Sequence, residues 1–255
     1  MKTVGIVPAR MAASRFPGKP LFPIHGTPMI QHVLKRASLY EGWDFLGLAT
    51  CDKEIQSWAH ENNWASIMTS DRHVRCLDRV AEAVTKIGVD IEEEDIIVCV
   101  QGDEPMLHPE MIRAVVDACN QKDVPCSVLG IDIVDDEVFF NKDTVKIIHD
   151  MDYNVLYTSR SPVPYCEKFT SNINAKRVGG IFAFKWHFLK LFTSLPESPL
   201  EVVESCDSNR ICDNGYKQKV APFGYVPYFS VDSPEDIEKV EENIVNDKYW
   251  RSYHE

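Results

Sequence analysis

Short apolar runs alternate with amphipathic stretches along most of this chain. Val4–Val7, Phe45–Ala49, Ala65–Met68 and Ile96–Val100 are almost uninterruptedly apolar, the pattern of strands buried on both faces. Between them, Met29, Ile30, Val33, Leu34 and Ala37 recur at helical spacing through Tyr40. Thr27-Pro28 reads as the start of that helix, a hydroxyl N-cap followed by proline at the first helical position. Further helices are predicted over Lys53–Asn62, over Asp78–Ile87, and from His108-Pro109-Glu110 to Asn120. The second half predicts strands at Ser127–Ile133, Val145–His149, Val155–Ser159 and Val178–Phe184, and a short helix over Trp186–Phe192. Ser198-Pro199 opens a helix expected to run to about Cys212 and to stop at Asn214-Gly215. Lys219–Ala221 and Tyr225–Val226 are short strand candidates, and Ser233-Pro234 caps a terminal helix, Glu235–Asn246. Strand–helix alternation of this kind predicts the α/β class, with a Rossmann-like, mostly parallel sheet covered on both faces. Ligands on such sheets bind at the carboxyl ends of the strands.

Composition narrows the function. At 255 residues the chain can bury a full core, and we expect one domain over 1–255 with an excursion around 155–185. A net charge of −12 argues against a nucleic-acid or anionic-membrane partner. No apolar run is long enough to span a bilayer, and Pro8 and Arg10 interrupt any signal-peptide core, so a cytoplasmic protein is expected. Eight cysteines without a Cys-x-x-Cys pair read as reduced thiols rather than disulfides or a zinc site.

The chemistry concentrates in three places. After the first strand comes Pro8-Ala9-Arg10 and a loop carrying Ser14, Arg15 and Lys19, punctuated by Pro17-Gly18. Strand, basic loop, then helix lets backbone amides and cations converge on phosphates, although the P-loop spacing is absent. Gln101-Gly-Asp-Glu-Pro105 follows the strand ending at Val100; a carboxylate at a strand end suits magnesium held against phosphates. Asp232 sits just before the terminal helix, where it can help to cap the helix.

These stretches resemble the CMP-Kdo synthetases (3-deoxy-manno-octulosonate cytidylyltransferases). That family opens on a strand, Pro-Ala-Arg, then Ser/Thr-Arg-Leu/Phe-Pro-Gly-Lys-Pro-Leu, and carries Gln-Gly-Asp-Glu-Pro. The resemblance covers essentially the whole chain, including Arg160-Ser-Pro-Val-Pro-Tyr165. It implies a nucleotidyltransferase fold of the GT-A-like type, with an excursion serving as acceptor lid and homodimer contact. It further implies transfer of CMP from CTP to a 2-keto sugar acid, with pyrophosphate released, for surface polysaccharide such as lipopolysaccharide or capsule. Lys19, Asp103 and Asp232 would be catalytic, the two aspartates holding Mg2+. Arg10, Ser14, Lys19, His73, Asp78, Arg79 and Gln101 would bind CTP. Arg15, Gln101, Arg160, Arg177, Asp207, Ser208 and Arg210 would face the acid.

The chain departs from the family chiefly on its acceptor side. The family's Ser-Gly-Thr core, which lies against the cytidine in those enzymes, is Arg75-Cys76-Leu77 here; on the acceptor side the histidine of its Lys/Arg-His-Ile-Gly-Ile-Tyr-Ala-Tyr is Val178, and its Leu-Glu-Gln-Leu-Arg is Cys206-Asp-Ser-Asn-Arg210. A modified Kdo, such as an amino-substituted one, is therefore the leading expectation beside Kdo itself. Alternatives are CTP-dependent activation of another hydroxy acid or phosphonate, and a non-catalytic nucleotide-binding paralogue.

Overall fold

A computed structural model describes residues 1–12 and 15–253. The chain forms two compact units, Met1–Arg113 with Pro227–Glu255, and Ala114–Val226.

In the first unit, β1 (Thr3–Ala9) is buried along its whole length. A two-residue hairpin follows, β2 (Pro23–Ile24) against β3 (Thr27–Pro28). His25 and Gly26 turn it with φ of 46° and 78°, the left-handed pair that so tight a turn requires. This hairpin was not legible as a strand pattern, and it displaces the expected helix cap. Because Thr27 and Pro28 are held in β3, α1 (Met29–Ser38) is preceded by Pro28, which gives no side-chain cap. Then come β4 (Phe45–Thr50), α2 (Lys53–Glu61), β5 (Ser66–Met68), α3 (Cys76–Val84) and β6 (Ile96–Val100). The strands lie in the order β6-β1-β4-β5, all parallel. From β1 the chain steps outward on one side through β4 and β5, then returns to place β6 on the other. That reversal makes the carboxyl ends of β1 and β6 a switch point, where a crevice opens.

Along α4 (Pro109–Cys119) the chain passes into the second unit. There β7 (Cys126–Asp132) is followed by a short α5 (Asp136–Phe140), β8 (Lys146–His149), β9 (Val155–Ser159) and β10 (Lys176–Lys185). α6 (Trp186–Ser194), α7 (Pro199–Glu204), α8 (Asp207–Asp213) and β11 (Lys219–Phe223) complete it. β7 pairs antiparallel with β10 and parallel with β11, while β8 pairs antiparallel with both β10 and β9. Two expectations need correcting. The helix expected from Ser198 to Cys212 is two helices, broken where Ser205 takes a left-handed φ of 53° and Cys206 is extended. Residues 225 and 226 form no strand. The last helix, α9 (Asp236–Ile244), returns the chain to the first unit. Asp236 accepts from the backbone N–H groups of Asp232 and Ser233, so the helix entry is tied by Asp236 where Ser233 was expected to cap it.

Candidate functional site

The crevice at the switch point is a cavity of about 280 Å³, lined wholly by the first unit. Pro8, Ala9 and Arg10 enter from the end of β1, and Gln101, Gly102 and Asp103 from the end of β6. Arg15 and Lys19 come from the loop after β1. Gly18, at φ 78°, turns that loop while its N–H donates to the Met11 carbonyl, and Lys19 follows directly. Gly102 is required by space: a Cβ there would lie 2.6 Å from the Pro8 carbonyl oxygen, so only glycine lets the β6 turn approach β1 this closely.

Charges of both signs meet here. Lys19 Nζ donates to Asp103 Oδ2 at 2.9 Å and to the Val231 carbonyl at 2.7 Å. Arg15 Nη2 donates to Asp232 Oδ1 at 2.7 Å. The Val231 N–H donates to the Asp103 carbonyl, which binds the segment before α9 to the turn after β6. Burial and the nearby Asp103 charge push the Asp232 carboxyl up, against the pull of Arg15 and Lys19. A cation or metal brought between the two aspartates would relieve that repulsion.

Among the described residues no group of three or more His, Cys, Asp or Glu is arranged to hold a metal alone. Two converging carboxylates nevertheless fit magnesium, which takes one or two protein carboxylates and fills its other positions with phosphate oxygens and water.

The remaining wall comes from the stretch before α3 and its first turn. His73, Val74, Arg75, Cys76 and Arg79 line the cavity, and Gln101 Nε2 lies 3.8 Å from Cys76 Sγ. Arg79 is almost fully buried and turned into the protein: its Nη1 donates to the Thr69 hydroxyl at 2.5 Å and to the Ser70 carbonyl. Asp78, in the first turn of α3, is not part of the lining. Of the expected nucleotide and metal residues, Arg10, Lys19, His73, Arg79, Gln101, Asp103 and Asp232 come together here, along with Arg15 from the acceptor set. Ser14 lies outside the described residues. The sequence did not single out Glu82, whose carboxylate accepts from the Ser70 N–H and pairs with His73 of the cavity wall; Lys86 four residues on was its one visible signal.

The other expected acceptor residues belong to the second unit. Arg160 donates from Nε to the Glu204 carbonyl at 2.8 Å and from Nη1 to the Lys142 and Asp143 carbonyls. Arg177 is half-buried on β10. Asp207 and Ser208 are buried at the start of α8. Arg210, expected at the acceptor, is instead buried against Glu201, with Nε and Nη2 reaching its two carboxylate oxygens at 2.7 and 2.6 Å. The Phe192 ring covers its guanidinium at 4.5 Å.

A family model described as cytidylyltransferase matches residues 4–220. The chain is 38% identical over 250 residues to a 3-deoxy-manno-octulosonate cytidylyltransferase of Thermodesulfovibrio yellowstonii, covering 94% of this chain and 97% of the relative. It is 34% identical to an 8-amino-3,8-dideoxy-manno-octulosonate cytidylyltransferase of Shewanella pealeana, over 97% of this chain and all of the other. A solved structure of CMP:2-keto-3-deoxy-manno-octonic acid synthetase complexed with CTP superposes with a TM-score of 0.85 at 31% identity, covering 96% and 99% of the two chains.

Proposed function

The chain belongs to the cytidylyltransferase family, and from that premise we propose that it transfers CMP from CTP to a Kdo-type 2-keto sugar acid, releasing pyrophosphate. One observation carries the reading: Lys19, Arg10 and Arg15 stand beside Asp103 and Asp232 in the crevice where β1 and β6 end. The acid's anomeric hydroxyl attacks the α-phosphorus and gives up its proton to solvent as the new O–P bond forms, and the bond to the bridging oxygen breaks as pyrophosphate leaves. Such a transfer needs positioning and charge neutralisation rather than a covalent enzyme intermediate. Lys19 and Arg10 hold the triphosphate; Arg15, half exposed, can exchange Asp232 for an anionic group of either substrate. Asp103 and Asp232 would hold magnesium, which would make the attacking hydroxyl more acidic and stabilise charge on the phosphates. Gln101 orients the acceptor from the β6 turn. Arg210 is assigned to holding α8 on α7.

Named relatives act on both Kdo and its 8-amino analogue, so both belong to the acceptor class proposed here. We read the working form as a cytoplasmic homodimer in surface polysaccharide synthesis.

The test is pyrophosphate release from CTP and magnesium with each acid in turn. Release with at least one acid is expected, and Asp103→Asn should lower the rate by about 100-fold or more. No release with either acid, from folded protein that binds CTP, would sink the proposed reaction.

A further inference from the structure

The segment from Thr69 to Arg75, whose last three residues line the cavity, contains no strand or helix, so something other than a backbone ladder must hold it in place. Arg79 supplies part of the hold through Thr69, Ser70 and the His73 carbonyl. Thr69 is also fixed to the Thr50 carbonyl by its N–H and hydroxyl, and a further hold comes from a residue that does not line the cavity. Glu82, one turn further along α3, accepts from the Ser70 N–H at 2.9 Å and pairs with His73 Nε2 through the same oxygen, Oε2. Its other oxygen accepts from Lys86 Nζ. One carboxylate therefore fastens the loop at two points, Ser70 at its base and His73 at the cavity, and Lys86 keeps that carboxylate charged from the solvent side. Beyond His73 the loop presents Val74, 72% exposed, as an apolar side chain on the cavity wall. An exposed valine on an irregular loop gains nothing from its position until a ligand covers it. The tether is what keeps it there.

We propose that Glu82 is a positioning residue for the nucleotide: through Ser70 and His73 it holds the 69–75 loop in the shape that receives CTP, without touching CTP itself. The proposal rests on the nucleotide reading of the cavity. A loop fixed in advance costs the ligand less to order than one that must be fixed on binding. Loss of the tether should therefore weaken nucleotide binding and leave the reacting groups, Lys19, Asp103 and Asp232, in place.

The experiment is a calorimetric titration with CTP and magnesium of wild type, Glu82→Ala and Glu82→Gln, with steady-state kinetics on the same three proteins. Glu82→Ala removes both fastenings, and its dissociation constant and KM for CTP should rise about tenfold or more, as expected for losing charge-assisted bonds. Its kcat should stay within about threefold of wild type, because an interaction outside the transition state affects binding alone. Glu82→Gln keeps the shape and one acceptor, so it should fall between the other two, and it carries the test if Glu82→Ala does not fold. Unchanged CTP affinity in the folded variants, or a fall in kcat with KM unaltered, would overturn the role given to Glu82 and leave the proposed reaction standing. Failure of wild type to bind CTP would overturn both.

Discussion

Burial acting alone would raise the carboxyl of Glu82, but hydrogen bonds from Lys86, the Ser70 N–H and His73, with the Lys86 charge, bring it down from 4.5 to about 2. Its folded value lies below its unfolded one, so its contribution to stability is complete above about 4.5 and is lost as the pH falls towards 2. The stability gap between wild type and Glu82→Ala, measured by urea unfolding, should therefore narrow steadily over that window. A gap that held constant there would contradict the depressed carboxyl. At this same scale the phosphate side of the site was legible and the loop side was not. Lys19, Asp103 and Gly102 sit in short motifs of neighbouring residues in the segments that follow β1 and β6, and those motifs mark them before any contact is known. Glu82 reads along the chain as an ordinary surface partner for Lys86. Only folding brings Ser70 and His73 onto its second oxygen, because those contacts span 12 and 9 residues of sequence.

Among elements, α7 and α8 illustrate how tertiary contacts decide a boundary. Both stretches have helical sequence, and Ser198 forms a full capping box with Glu201 at the start of α7. At the other end of α7, Glu204 accepts from Tyr157 and Ser159 of β9 and from the N–H of Arg160, the residue that follows that strand. Asn209 of α8 bonds to Thr158 by its N–H, hydroxyl and carbonyl. Both helices are thus registered on one strand, and Ser205 takes the left-handed turn between them. Arg210 and Glu201 then close the α7–α8 contact as a buried ion pair. Removing one partner strands the other charge, whereas removing both does not. Arg210→Leu should cost about 3–5 kcal/mol, and Glu201→Leu with Arg210→Leu should recover most of it. Chemical denaturation of the three proteins checks this; an undamaged single variant would mean that Arg210 is not structural and would return it to the acceptor set.

For the molecule as a whole, the charge of −12 opposes an anionic nucleotide, and binding depends on cations gathered locally at the cavity. The lining draws on segments from Pro8 to Met29, His73 to Arg79, Gln101 to Asp103, and Asp232, the last reached only after the chain has built the second unit. Hydrogen exchange with CTP and magnesium should accordingly slow in all four segments together. Protection confined to the first loop would argue against a shared site. The sequence by itself determined the α/β alternation, the positions of the fully buried strands, the basic loop after β1 and the family, since periodicity and short motifs are written in neighbouring residues. The tertiary structure alone decided that Asp232 faces Asp103 and Arg15, that Arg210 is closed in by Glu201, and that Glu82 holds the loop at the cavity. Those are contacts between residues far apart in the chain, and their partners are chosen by packing and by the need to satisfy buried charge, which no local pattern records.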